Sequence, residues 1–297
     1  MSKPAGPSDV TLSWLLLLLL SLIWGSSFIL IKKGLLVFTP TEVAGIRIGS
    51  ASLVLAPYAV KKWRKVDKHY AKYLLISGVV GSLIPAFLFA LAQTQLDSGI
   101  TGVLNALTPI FVLIMGLIFF SQKSNARMII GIFIGFVGTL LLILASSGGN
   151  PGQLNFYAFF VVLATLCYGI NLNLIKYYLT SIRALEITAI SLVMVGPFTI
   201  IFLLLFTSFN HKIVYTEGAW LSFGYLCMLG IIGTATALGI FNKLVKLSTP
   251  LFSSSVTYII PIVAVLWGVF DGEKLTIYHY LSMLVILVGV FLANRRR

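Results

Sequence analysis

Ten apolar stretches, separated by short polar or turn segments, occupy most of the 297-residue chain. Each is close to the roughly 20 residues that an α-helix needs to cross the hydrocarbon core of a bilayer. Because backbone groups must be hydrogen-bonded inside such a core, the pattern predicts an all-α integral membrane protein with ten transmembrane helices. The predicted spans are 12–33, 41–60, 72–94, 100–120, 127–146, 155–177, 184–208, 218–242, 251–270 and 275–294. No small-residue cleavage site follows the first stretch, so we expect it to remain as a span.

The composition agrees with this pattern and excludes several classes of protein. The chain is 59% hydrophobic and 10% charged, whereas soluble domains carry about 25% charged residues. Its net charge of +13 lies in short runs between apolar stretches, which disfavours a nucleic-acid surface. Cys167 and Cys227 fall inside apolar stretches, where we expect packing roles. No phosphate loop, metal-ligand spacing or nucleophile pattern occurs, so we expect no enzyme activity, cofactor, metal or catalytic residue.

The distribution of basic residues predicts the orientation. With the N-terminus in the cytoplasm, 16 of the 21 lysines and arginines fall in segments that face the cytoplasm. Short cytoplasmic loops are enriched in these residues. We therefore expect a multi-pass protein of the inner (plasma) membrane with both termini cytoplasmic.

The two halves of the chain resemble each other. They correspond to residues 1–147 and 155–297, joined by a linker at 148–154. A shift of 144 or 152 residues gives the matched pairs Trp24/Tyr168, Glu42/Glu186, Gly81/Gly233, Phe89/Phe241, Pro109/Pro261 and Gly116/Gly268. Each half has five predicted spans, an odd number, so the second half enters the membrane from the opposite side. Many secondary transporters are inverted repeats of this kind, with the substrate site near the midplane between the halves.

Several segments resemble the EamA domain of the drug/metabolite transporter superfamily. They are Trp24-Gly25-Ser26-Ser27-Phe28, Ile31-Lys32, Glu42, Ile46-Arg47, the stretch from Gly102 to Phe111, and, in the second half, Ser253 to Pro261, Gly268 and Gly272-Glu273-Lys274-Leu275. The resemblance implies two EamA domains and ten helices, as in exporters of amino acids and other small metabolites. One departure is that Ser121-Gln122-Lys123 stands where the second half has Gly272-Glu273-Lys274. We therefore assign no chemistry to this turn.

Polar and aromatic residues within the spans are the candidates for a substrate site, because such groups are costly in lipid unless satisfied. The predicted substrate-binding residues are Trp24, Ser27, Phe89, Gln93, Asn105, Tyr168, Asn171, Thr257 and Tyr258. The amides either bind substrate or join helices, and Trp24 and Tyr168 either line a cavity or pack. Pro109 and Pro261 act either as gating hinges or as passive kinks.

Three charged residues near helix starts or inside a span require separate interpretation. Glu42 and Glu186 lie just inside a helix start, where a carboxylate stabilises the helix. Arg47 lies two turns into the second span. It could extend to the membrane surface, pair with an acid, or bind a substrate carboxylate.

These features predict a secondary transporter of a small metabolite that works by alternating access. An amino acid or a similar amphipathic solute fits the aromatic and amide candidates, and export is the expected direction. The expected partners are this solute and the lipid bilayer. Multidrug or cation efflux is an alternative, but no acidic residue lies near the middle of a span. A membrane-embedded enzyme lacks a catalytic pair, and a non-transporting scaffold is the remaining alternative.

Overall fold

The computed structural model describes residues 7–64, 66–120, 125–146, 155–247 and 256–294 of a helical bundle. Eight of its helices have the length and hydropathy of a membrane span, and two shorter apolar helices, Val256–Phe270 and Ile277–Ala293, complete the ten. The prediction of an all-α membrane protein with ten spans is confirmed. The predicted linker at 148–154, the turn at 121–123 and the start of the ninth predicted span at 251–255 lie outside the described residues.

Six of the ten spans are single helices over their described residues, and the other four contain a break or a change of helix type. Numbered in chain order, span 1 is Pro7–Gly25 and Ser27–Leu35; span 2 is Pro40–Trp63; span 3 is Ala71–Gly78, Val79–Leu83 and Ile84–Ala92; span 4 is Ser98–Leu104, Asn105–Leu107 and Thr108–Phe119; span 5 is Ala126–Ser146; span 6 is Tyr157–Tyr178; span 7 is Ala184–Phe206; span 8 is Ala219–Gly230, Ile231–Thr236 and Ala237–Leu247; span 9 is Val256–Phe270; span 10 is Ile277–Asn294. Sequence reasoning missed the short helix Phe209–Tyr215, between spans 7 and 8, and the turn of 3₁₀ helix at Lys68–Tyr70, before span 3.

The packing of the spans follows the inverted repeat. Spans 3 and 4 of the first half both pack on span 6, and their counterparts, spans 8 and 9, both pack on span 1. Span 3 also packs on span 7, and its counterpart, span 8, packs on span 2. Spans 2 and 7, 4 and 9, and 5 and 10 pair with their own counterparts. Spans 1, 3, 4, 6, 8 and 9 therefore form the central part of the contact between the two halves, and the pairs 2–7 and 5–10 flank it. A site between inverted repeats is expected in this central part.

Glycines allow the closest of these pairings. A Cβ atom at Gly138 of span 5 would lie 2.7 Å from the backbone nitrogen of Ile286 in span 10, and one at Gly49 of span 2 would lie 2.9 Å from Ile200 of span 7. Small residues at such contacts let helix backbones approach in lipid. These pairs hold the periphery of the bundle together.

The start of span 2 confirms the role expected for Glu42. The Thr39 hydroxyl accepts a 3.4 Å hydrogen bond from the Glu42 N–H, and the Glu42 carboxylate accepts a 2.8 Å bond from the Thr39 N–H. This capping box also receives the Lys212 ammonium at 2.7 Å. In the second half, Glu186 lies in the first turn of span 7 and pairs with Lys62 at 3.7 Å and Arg183 at 3.9 Å.

Candidate functional site

Spans 3 and 8 each contain one π-helical turn, Val79–Leu83 and Ile231–Thr236, at positions that the 152-residue shift superimposes. A π turn inserts an extra residue into the helix and is frequent at functional sites. The two turns include the matched glycines Gly81 and Gly233. The indole N–H of Trp24 donates a 3.0 Å hydrogen bond to the Gly233 carbonyl. Trp24 of the first half is therefore fixed against the π turn of the second half.

Ser27 and Asn171, which the 144-residue shift superimposes, face these turns in matching ways. A Cβ atom at Gly81 would overlap the Asn171 amide, and one at Gly233 would lie 3.5 Å from the Ser27 hydroxyl. The Ser27 hydroxyl donates to the Ile23 carbonyl of its own helix at 3.3 Å. The pseudo-symmetry therefore extends to individual contacts between the halves.

Tyr168, the counterpart of Trp24, is partly buried and packs against the hydrophobic core of the bundle. Its ring stacks on that of Phe89 with 5.9 Å between centroids, and Phe89 contacts Phe28 edge-on at 5.8 Å. The guanidinium of Arg47 interacts with the Tyr168 hydroxyl. We call Trp24, Ser27, Arg47, Phe89, Tyr168 and Asn171 the central site.

Several buried polar atoms in this region have no hydrogen-bond partner among the described residues. They include Nε of Arg47, Oδ1 of Asn171 and Oγ1 of Thr234, which lies in the π turn of span 8. An unpartnered polar atom in a protein interior costs about 1–3 kcal/mol. Such atoms are expected where a polar solute binds between the halves.

A second asparagine of span 6 joins helices instead. The amide of Asn173 donates 2.9 Å hydrogen bonds to the carbonyls of Val112 in span 4 and Gly169 in its own helix. Of the two neighbouring asparagines, Asn171 faces the π turn and Asn173 fixes span 6 to span 4.

Gln93, another predicted site residue, follows span 3 and lies apart from the π turns. It lines a cavity of about 310 Å³ together with Lys32, Asp97 and Asn155. Both polar atoms of its side chain are buried and lack a partner among the described residues. This cavity is at the end of the bundle where spans 1 and 2, 3 and 4, and 9 and 10 are connected. We call it the Glu273 end.

The predicted residues around the two prolines make local contacts. The carbonyl of Asn105, which Pro109 cannot bond, accepts a 2.8 Å hydrogen bond from the Thr108 hydroxyl. The helix narrows to a 3₁₀ turn at Asn105–Leu107. Pro109 therefore marks a break in span 4.

The corresponding proline of the second half, Pro261, lies inside the helix of span 9. It lacks the N–H that would bond the carbonyl of Thr257, four residues earlier. The Tyr258 ring contacts Phe291 of span 10, at 6.3 Å between centroids. This contact of Tyr258 is directed towards the peripheral pair of spans 5 and 10.

An ion-pair network closes the Glu273 end. The Glu273 carboxylate accepts hydrogen bonds from Lys32 at 2.8 Å, from the Ser98 N–H at 2.8 Å and hydroxyl at 2.6 Å, and from the Gly99 N–H at 3.0 Å. Lys32 also pairs with Asp271 at 2.8 Å, and Asp271 with Lys33. The Glu273 side chain is 1% exposed. The network joins span 1, the start of span 4 and the turn after span 9.

The pKa values of the acids follow from these contacts. Burial alone would raise the pKa of Glu273, but the hydrogen bonds from Lys32, Ser98 and Gly99 outweigh it and lower this pKa. Lys32 and Lys33 likewise lower the pKa of Asp271. Burial and the Glu273 charge raise the pKa of Asp97. Glu273 is therefore charged at neutral pH.

Aromatic stacking joins the halves at the opposite end. The rings of Phe120 in span 4 and Tyr177 in span 6 are 4.1 Å apart and nearly parallel. Tyr73 and Tyr178 stack at 4.7 Å between spans 3 and 6. Tyr177 follows Lys176, the residue that the 144-residue shift matches to Lys32. Equivalent segments of the two halves therefore form an ionic contact at one end of the bundle and a stacked aromatic contact at the other.

Sequence reasoning missed three parts of this arrangement. The π turns have no residue signature, although the Gly81/Gly233 match marked their positions. The Gly272-Glu273-Lys274 turn received no role because the first half lacks its acid, yet Glu273 is the centre of the network. Arg47 was left between three roles, and its contact with Tyr168 depends on the packing of span 2.

Comparison with known protein families identifies one family for this chain. The model of the EamA-like transporter family matches residues 11–144 and 155–295. An uncharacterized transporter of Archaeoglobus fulgidus is 25% identical, covering 96% of this chain and 99% of its own. The uncharacterized inner membrane transporter YedA of Escherichia coli is 26% identical, covering 93% and 88%. A solved structure with 13% identity and a TM-score of 0.58 covers 97% of this chain and 96% of its own, and supports the fold.

Proposed function

The chain belongs to the EamA-like transporter family and contains its domain twice, and on that premise we propose that it is a secondary transporter of an amino acid or a similar amphipathic solute. It is a transporter and not an enzyme. We propose that the two repeats, 1–147 and 155–297, move against each other by alternating access, and that export is the direction. We also keep as proposals the inner-membrane location and the cytoplasmic termini.

The observation that supports this best is the pair of π turns facing the central site. Each turn contacts a polar residue of the opposite half, Asn171 at Gly81 and Ser27 at Gly233. A π turn is a local widening of the α-helix that is frequent at functional sites. Two such turns, related by the repeat, are what a substrate site between inverted halves requires.

The two ends of the bundle supply the other requirement of alternating access, contacts between the halves that can open in turn. Lys32 and Glu273 join spans 1 and 4 to the turn after span 9. Phe120 and Tyr177 join spans 4 and 6 at the other end. Opening one set while the other stays closed would expose the central site to one side of the membrane.

The chemistry of the central site favours an amphipathic solute. Trp24 and Tyr168 offer aromatic surface, with Phe89 buried behind Tyr168. Asn171 offers an amide, and Arg47 is a cation. Multidrug or cation efflux is less favoured, because the central site as described contains no carboxylate. A panel of substrates is needed to separate these alternatives from a non-transporting scaffold.

The test is counterflow in proteoliposomes with radiolabelled amino acids, sugars and a lipophilic cation, with and without a pH gradient. We expect amino-acid counterflow that Trp24→Ala and Asn171→Ala reduce. Asn105→Ala tests whether span 4 also contributes. Matched controls are Trp220→Ala, at a tryptophan that is 69% exposed, and Asn210→Ala, at an exposed asparagine. Absence of counterflow for every solute would contradict transport, and cation flux alone would favour the efflux alternative.

A further inference from the structure

Arg47 lies within span 2 without the partner that an arginine in a membrane span normally has. Its Nε atom is buried and unbonded, and none of the described carboxylates is within ion-pair distance. Charged side chains at such depth are rare, usually pair with one another or with backbone carbonyls, and mark substrate or ion pathways. Of the roles that the sequence left open, pairing with an acid is therefore not supported.

Backbone packing fixes the position of the Arg47 main chain. A Cβ atom at Gly230 would overlap the Arg47 carbonyl oxygen, so span 2 lies directly against span 8, one residue before the π turn. The side chain reaches across to span 6, where it interacts with the Tyr168 hydroxyl. It therefore stays inside the bundle, between elements of both halves.

Tyr168 is itself held in place. Its ring stacks on Phe89 at 5.9 Å and 30°, so its hydroxyl has little freedom to move away from Arg47. The guanidinium and the phenolic hydroxyl lie next to each other, and both can donate hydrogen bonds to a third group. Planar guanidinium donors match the two oxygens of a carboxylate.

The repeat has no second cation of this kind. The 144-residue shift superimposes Arg47 on Ser191 of span 7. The backbone there is equivalent, since a Cβ atom at Gly78 would lie 2.5 Å from the Ser191 carbonyl oxygen, but the side chain is neutral. The shared scaffold needs no arginine at this position, so its charge requires another explanation.

We propose that Arg47 and Tyr168 form an anion-binding subsite that holds the carboxylate of the transported solute. This inference rests on the proposed function and adds a specificity determinant to it. Asn171 is one turn from Tyr168 on the same face of span 6, and its unbonded Oδ1 is an acceptor suited to a cationic or hydroxyl group of the same solute. The solute then binds in one orientation, with its anionic end towards span 2.

The subsite predicts discrimination between solutes that differ only in charge. The experiment uses three trios of solutes, based on leucine, phenylalanine and threonine. Each trio contains the L-amino acid, its amide and its decarboxylated amine, which share one side chain. Counterflow of each is measured in proteoliposomes with the full-length protein. For the trio that the wild type transports, we expect the amino acid to exceed the amide and the amine by about tenfold or more, as expected for loss of a buried ionic contact.

Variants separate binding from a structural role. Arg47→Gln should reduce amino-acid counterflow to the level of the amide while leaving amide counterflow unchanged, and Arg47→Lys should retain part of the preference. Arg64→Gln removes an exposed arginine at the end of the same span and should match the wild type. If Arg47→Gln does not purify as a monodisperse protein, Tyr168→Phe is used in its place. This variant should raise the KM for the amino acid and leave the KM for the amide and the amine unchanged.

Each outcome decides the question. Equal losses for all three solutes in Arg47→Gln would overturn the subsite in favour of a structural arginine, and so would unchanged discrimination. A wild type that transports amide or amine as well as the amino acid would also overturn it, while leaving transport intact. Failure of all nine solutes to move in the wild type would instead contradict the proposed function.

Discussion

Removing the charge of Glu273 tests whether its network holds one end of the transporter closed. Glu273→Gln keeps the shape of the side chain and removes its negative charge. The variant loses the ion pair with Lys32 at 2.8 Å and weakens three hydrogen bonds from Ser98 and Gly99. We expect the closed arrangement at this end to lose stability relative to the open one.

The structure sets the size of the effect. Breaking a buried ion pair by removing one partner costs about 3–5 kcal/mol. Here Lys32 is 31% exposed and remains paired with Asp271, so we take about 2–3 kcal/mol, below that range. At 1.4 kcal/mol per factor of ten, the ratio of open to closed forms rises by about 30- to 150-fold.

The assay is the rate of thiol labelling at the central site from the Glu273 end. The free cysteines Cys167 and Cys227 are replaced by alanine, and Ser27→Cys introduces the reporter. A membrane-impermeant maleimide is applied to that side alone. We expect slow labelling when Glu273 is present. In Glu273→Gln the labelling rate should rise by about 30- to 150-fold, or by less if this end is then fully open.

Two controls define the result. Glu217→Gln removes an exposed acid and should not change the rate, and Thr94→Cys, at an exposed position of the same end, should label equally in both backgrounds. A rate at position 27 that stays within twofold of the parent in Glu273→Gln would refute the closing role of the network.

The same carboxylate predicts a pH dependence. Because the pKa of Glu273 is lowered in the closed form, its stabilisation is complete above the ordinary pKa of 4.5 and is lost as pH falls through the lowered value. Maleimide reacts with the thiolate, so labelling at position 27 is expressed relative to labelling at Thr94→Cys. This ratio should be independent of Glu273 ionisation between pH 6 and 8 and should rise only below about 4.5. A transition near neutral pH that Glu273→Gln abolishes would contradict the assigned charge state.

Two further changes should affect the opposite end and the contact between the halves. Tyr177→Ala removes the ring stacked at 4.1 Å on Phe120, worth about 0.5–1.5 kcal/mol, and should increase labelling of the central site from that end by up to about tenfold; an increase from the Glu273 end instead would contradict the assignment of ends. Gly230→Ala places a Cβ atom onto the Arg47 carbonyl oxygen and should cost about 1–3 kcal/mol of stability by overpacking. We expect a lower Tm and reduced counterflow, whereas the control Gly224→Ala, with no atom within 4 Å of the added Cβ, should leave both unchanged. Equal Tm values for Gly230→Ala and the wild type would show that spans 2 and 8 can separate without cost.

The fold was predictable because the bilayer limits what the chain can do. Apolar runs of fixed length must be helices in lipid, and the spacing of Thr39, Pro40 and Glu42 marks the start of span 2 as a capping box would. The matched residues of the two halves also predicted which positions are equivalent: Gly81 and Gly233 lie in equivalent π turns, and each turn contacts a polar residue of the opposite half.

The candidate site was only partly predictable because it depends on helix rotation and distant partners. Asn171 and Asn173 are two residues apart in one apolar helix, and only the packed bundle directs the first to Gly81 and the second to the Val112 carbonyl. Glu273 meets Lys32 from 241 positions away in the chain. A turn without a counterpart in the first half gave no sign of that contact.

The positions where the repeat breaks explain more about transport than those where it holds. Two identical halves would make the two end states equal in energy, since each state is the other with the halves exchanged. The matched glycines and π turns therefore explain why the protein could adopt two equivalent end states, but they cannot favour one of these states over the other. In the alternating-access cycle proposed above, we expect two unmatched features to give the two states different energies and different responses to a charged solute. One is Arg47, whose equivalent is the neutral Ser191, and the other is the ionic contact at one end, whose equivalent is a pair of stacked rings. A preferred direction of opening, and an orientation for the solute, follow from these unmatched residues.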